Sequence, residues 1–155
     1  MPRVTLPLLA AALLVPSTAS AEPALCSKAG VKAALRSAGE LHGLTVSQVR
    51  CGDVTADGVA DATYALNSGG TAGNTRFGVV RGGDTPKVVK AAEGYKVGVA
   101  RRSRRSFEVL QPVYRAEDPN CCPSSFAVTR YRWNGRRFRA AGTRQLDHAP
   151  KRFAT

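Results

Sequence analysis

Tyr131-Arg132-Trp133-Asn134-Gly135-Arg136-Arg137-Phe138 is the stretch from which the fold of this chain is read. Asn-Gly stands between two β-prone runs and favours the backbone twist that closes a two-residue hairpin. Alternation puts Tyr131 and Trp133 on one strand face, a core face, and leaves Arg132, Arg136, Arg137 and Arg139 as its wet side. Interleaved aromatics and arginines are also what a surface stacking on bases or sugars would show, which is the weaker reading.

Upstream of the hairpin the same signals repeat: Val-rich or aromatic runs divided by Gly, Asn, Asp and Pro clusters. Strands are predicted near 45 to 52, 61 to 67, 75 to 81, 86 to 91, 94 to 101, 106 to 114, 125 to 133 and 136 to 144. Ser68 to Asn74 reads as a flexible loop and Gly82 to Pro86 as a turn. Only one helix is convincing. Ser27 can cap a run from about Lys28 to Ala38, Val31, Ala34, Leu35 and Ala38 form one apolar face, and Gly39 stops it. The fold class is α+β: an N-terminal helix packed on a twisted, mainly antiparallel β-sheet, with disulfides.

Ahead of the helix, Arg3, the apolar stretch Val4 to Val15 and the small residues that follow have the three parts of a signal peptide. The apolar stretch has 12 positions, well short of the roughly 20 a membrane-spanning helix needs. Ala19 and Ala21 supply the small side chains that cleavage after Ala21 requires, so 1–21 is a leader and 22–155 a single secreted domain. Its basic C-terminal tail is expected to be flexible from about residue 146. Leu25 before Cys26 does not suit a lipid-attachment signal.

Four cysteines in an exported chain point to two disulfides rather than to a metal or redox centre. Cys121 and Cys122 either bridge each other or reach separately to Cys26 and Cys51. The preferred pairing is Cys26 with Cys51 and Cys121 with Cys122.

The formal net charge is +12 and lopsided: from Arg101 to Thr155 there are 13 Lys or Arg against 4 acids. A solvated basic face is the plain reading. A binding patch of Arg101, Arg102, Arg104 and Arg105 with Arg132, Arg136 and Arg137 is the sharper one. Its partner would be an anionic envelope polymer ahead of nucleic acid.

Asp53-Val54-Thr55-Ala56-Asp57-Gly58-Val59-Ala60-Asp61 carries the most chemistry. Side-chain oxygens of Asp53, Thr55, Asp57 and Asp61, with the carbonyl of Val59, fall at the spacing of a calcium loop, and Gly58 sits at the sharp turn. Calcium is therefore the one cofactor the residues point to. The bidentate Glu of an EF-hand is replaced by Tyr64, and Thr55 is a neutral ligand. The alternative is a turn held by Asp side chains accepting backbone N–H bonds. The D-x-x-x-D-G-x-x-D spacing resembles the calcium loops of FG-GAP and VCBS-type repeats, but a single copy does not build a propeller.

Cys51-Gly52-Asp53-Val54-Thr55-Ala56-Asp57-Gly58, Asp118-Pro119-Asn120-Cys121-Cys122-Pro123-Ser124 and Tyr131-Arg132-Trp133-Asn134-Gly135, in that order, resemble actinobacterial secreted proteins of the LppP/LprE lipoprotein type. The resemblance runs from about Cys26 to Gln145. It implies an envelope or secreted location and a β-rich domain, and no particular activity. The chain departs from that type at the lipid-attachment context.

Enzyme readings find little purchase. His42 and His148 stand in neither a H-E-x-x-H nor a G-x-S-x-G setting, which leaves Asp53, Asp57 and Asp61 as carboxylates for acid-base work. The sequence thus reads as a secreted, non-enzymatic binding or structural module, with calcium as its candidate stabiliser. A polyanion-binding protein is the second reading and an enzyme of unassigned chemistry the third.

Overall fold

The computed structural model describes residues 24–154; the expected leader and the cut after Ala21 lie outside them. A short 3-10 turn, Ala24–Cys26, leads into helix α1, Lys28–Ser37. Ser27 caps it by accepting the Gly30 N–H at 3.0 Å, and glycine is required at position 30 because a Cβ there would run into the carbonyl of Ala24. Past the helix end Gly39 takes φ +71°, and the Gly39 and Glu40 N–H groups return to the carbonyls of Arg36 and Leu35. That paired closure satisfies carbonyls the helix would otherwise leave open.

The rest is β. Strands β1 (Thr45–Gly52), β2 (Asp61–Asn67), β3 (Asn74–Arg81) and β4 (Lys87–Glu93) form one antiparallel sheet in chain order. A second antiparallel sheet follows from β5 (Gly98–Ser103), β6 (Ser106–Val113), β7 (Ser125–Trp133) and β8 (Phe138–Leu146). All eight expected strands are present, but the single sheet of the α+β expectation is corrected: the protein is mainly β, with two four-stranded sheets and one short helix.

The physical reason lies in the side chains. Phe77 and Val79 of β3 and Phe107 and Val109 of β6 are all buried in one cluster with Val97, Val99 and Phe138, and the rings of Phe77 and Phe107 meet edge to face at 6.5 Å. Two sheets folded onto each other bury both apolar faces at once; one open sheet would leave them wet. Residues 94–97 make the break, since Gly94, Lys96 and Val97 bond back to Thr75, Ala72 and Asn74 before β5 begins. Gln48 then stitches the sheets together: its Oε1 accepts from Val99 N at 3.0 Å and its Nε2 donates to Phe153 O at 2.9 Å.

Strand β2 is buried on both faces. Ala65 enters the intersheet cluster, while Ala62, Tyr64 and Leu66 join Val31 and Leu35 of α1 on the other side. Cys26 and Cys51 are disulfide-bonded, with a Cα–Cα distance of 5.6 Å, which fastens the start of the helix to β1. Cys121 and Cys122 form a vicinal pair.

The hairpin from Trp133 to Phe138 forms where expected, with a different centre. Asn134 N donates to Arg137 O at 3.2 Å, so Gly135 and Arg136 occupy the two central places. Only Gly135 has positive φ, +94°, and Asn134 Oδ1 accepts from the N–H groups of Arg136 and Arg137 at 3.0 Å, so its side chain closes the turn. The tail expected to be flexible from about residue 146 is docked: a 3-10 turn, Lys151–Phe153, buries Phe153 against Ala100, Leu110 and Val128. Among the described residues no helix is long and apolar enough to cross a membrane.

Candidate functional site

In the Asp53 to Asp61 loop the carboxylates do not converge on one point. Asp61 is wholly buried. Its Oδ2 accepts from Val54 N and Thr55 N at 2.8 Å and from Thr55 Oγ1 at 3.0 Å, and its Oδ1 accepts from Gly82 N at 3.0 Å. All its acceptor capacity is directed at the fold. Asp53 accepts from Asp57 N and Gly58 N, both at 3.1 Å, and takes Arg104 as counter-charge at 3.0 Å. Asp57 accepts from Val59 N at 3.0 Å and from Arg81 Nε at 2.7 Å.

Desolvation pushes Asp53 up, but the bonds from Arg104 and the loop N–H groups outweigh it and hold the carboxyl below its usual range. The Val59 N–H and Arg81 do the same for Asp57. Two arginines and a ring of backbone donors thus supply the positive charge that a cation would bring. Among the described residues no three His, Cys, Asp or Glu side chains are grouped to hold a metal ion. In this arrangement Asp53 and Asp57 face arginines and loop N–H groups, and Asp61 and Thr55 are bonded to each other within the fold.

The second sheet gathers charge of the other sign. Directly paired residues on neighbouring strands share a face. Glu108 on β6 is paired with Ala100 and Arg130, Arg132 with Ser106 and Arg139, and Val128 with Arg144. The opposite face carries Phe107, Tyr131, Trp133 and Phe138 toward the core. The outward face is therefore arginine-rich around one acid.

That acid, Glu108, has a fully buried side chain and three arginine partners: Arg144 at 3.0 Å, Arg152 at 2.9 Å and Arg102 at 3.6 Å. Burial pushes its carboxyl up, yet the bonds from Arg144 and Arg152 prevail and the group ionises more readily than an ordinary glutamate. Arg130, Arg132 and Arg139 have no acidic partner among the described residues. A cleft of about 690 Å³ opens at the β5–β6 hairpin, lined by Ser103, Arg104, Arg105 and Ser106 together with Arg130, Arg132 and Ala56 of the Asp loop. A second hollow of about 410 Å³ is lined by Asn134, Arg136, Arg137 and Arg139.

The arginines singled out in the sequence divide between these places. Arg104, Arg105 and Arg132 line the cleft, Arg136 and Arg137 line the second hollow, and Arg102 joins Glu108. Arg101 is paired with Phe107 on the other face of β5, and its side chain lies over Gly52, where a Cβ would collide with it. Sequence reasoning missed Arg130, Arg144 and Arg152. The alternation that turns Tyr131 and Trp133 inward would have placed Arg130 outward with Arg132. No local pattern marks Arg144 or Arg152, because register and the docked tail bring them in.

Guanidinium groups stay protonated and only donate hydrogen bonds, and serine hydroxyls add further donors. The cleft thus presents positive charge and hydrogen-bond donors, with no carboxylate in its lining. No family model, curated protein or solved structure matches the chain.

Proposed function

We propose that this chain is a non-enzymatic, extracytoplasmic binding module that holds an anionic envelope polymer on the outward face of its second sheet. The observation that carries the reading is the row Arg130, Arg132 and Arg139, three guanidinium groups on one face with no acidic partner among the described residues. The leader read at 1–21, the Cys26–Cys51 bond and the likeness to LppP/LprE-type proteins support a place outside the cytoplasm.

A polymer is favoured over nucleic acid by the placement of the aromatics. Base recognition on a sheet needs exposed rings among the arginines, and Tyr131 and Trp133 pack on the core side instead. Retention on immobilised heparin, used as a generic polyanion, should fall steeply between low and physiological salt. The triple variant Arg130→Ala, Arg132→Ala, Arg139→Ala should elute at clearly lower salt than the parent. Equal elution, or tighter retention on single-stranded DNA than on a wall polymer of equal charge, would overturn this reading.

A further inference from the structure

We infer that the cleft at the β5–β6 hairpin is a phosphoryl subsite, so that the polymer held by the arginine face carries phosphate groups. This rests on the arginine face being the binding surface, and adds the chemistry of what is bound there. Arg105, Arg130 and Arg132 open into the same cleft volume of about 690 Å³. The fourth arginine of the lining, Arg104, is already committed to Asp53 at 3.0 Å.

Between these arginines lies a pair of hydroxyls. Ser103 Oγ and Ser106 Oγ are 2.7 Å apart, and either can be the donor. Ser103 Oγ also accepts from Arg105 N at 3.4 Å. Whichever hydroxyl donates within the pair, the other keeps one O–H with no acceptor assigned among the described residues. Ser106 is nearly buried, 5% exposed, and Ser103 is exposed, so the pair runs from the base of the cleft to its surface. The lining therefore holds three uncompensated guanidinium forks and a spare hydroxyl donor, with no carboxylate to answer them.

A carboxylate brings one charge and two coplanar oxygens, which satisfy one fork. A phosphoryl group brings tetrahedral oxygens and, as a monoester, a charge of about −1.5 to −2. It can accept from two forks and a hydroxyl at once. Lysine would supply charge without the planar fork, so the phosphoryl reading predicts that Arg132→Lys is not a neutral change.

Calorimetric titration of the purified protein with inorganic phosphate, sulfate and acetate at matched ionic strength tests this. Phosphate and sulfate, both tetrahedral, should each bind about tenfold or more tighter than acetate, a difference of about 1.4 kcal/mol for each factor of ten. Arg132→Lys should weaken phosphate about fivefold or more, because the charge is kept but the planar fork is lost. Equal affinity for phosphate and acetate, or an Arg132→Lys protein with parental phosphate affinity, would overturn the subsite. A parent protein that shows no preference for phosphate over acetate but is retained on heparin refutes the subsite alone; absent retention in the parent protein refutes the arginine face as well.

Discussion

Arg152 and Glu108 lie 44 positions apart in the chain, yet Arg152 Nη2 donates to Glu108 Oε2 at 2.9 Å. The pair joins the docked tail to the floor of the arginine face. Glu108 also holds Arg144 and Arg102.

Glu108→Gln should therefore destabilise the protein, by about 2 kcal/mol, since three arginines lose their shared counter-charge while two-fifths or more of each remains in water. The folded carboxyl ionises below its ordinary value of 4.5. Its stabilisation is complete above that value and is lost as pH falls through the lower folded one. Asp53 and Asp57 shift in the same direction. Melting curves should show no loss from these groups between neutrality and about pH 5, then a fall below about pH 4, and the fall should be shallower in Glu108→Gln. A melting point that rises on acidification would contradict this assignment.

Asp61 is expected to matter more than either of its loop companions. Asp61→Ala strands the N–H groups of Val54, Thr55 and Gly82 and should cost about 3 kcal/mol, or about 10 °C in melting point. Asp57→Ala removes a partly exposed pair with Arg81 and should cost about 1 kcal/mol or less. With Arg81 and Arg104 already supplying the positive charge, about 5 mM calcium should leave the parental melting point unchanged. A calcium-dependent rise of several degrees would show that the loop rearranges around the ion.

Much of this fold was legible in the sequence, and what was not has a physical cause. Strand boundaries follow from turn residues and period-two alternation, which are local, so β1 through β8 fall close to where they were expected. Sheet membership is not local. Nothing in Gly94 to Val97 announces that β5 abandons β4; the division is decided by Phe77 and Phe107 needing one shared interior. The Asp53 to Asp61 spacing was legible as a loop, but not that Asp61 faces inward, because the donors from Val54, Thr55 and Gly82 come from backbone that only the folded turn brings close. Arg144 likewise reaches Glu108 through the register around the irregularity between Thr129 and Tyr131, which side-chain pattern alone does not reveal.

The two cysteine pairs should differ in weight. Cys26 and Cys51 are separated by 25 positions, and replacing both with Ser should cost about 3 kcal/mol in urea denaturation, since the unfolded chain regains that loop. Replacing Cys121 and Cys122 together frees almost no loop and should cost much less. Equal losses for the two double variants would contradict this ranking.

The arginine face is tested most directly by amide chemical-shift mapping of the isotope-labelled protein with a wall polymer that carries phosphate. Perturbations should concentrate at Ser103 to Ser106, Arg130, Arg132 and Arg139, and should vanish in the triple arginine-to-alanine variant. Perturbations centred on α1 or on β4, with the second sheet silent, would contradict it.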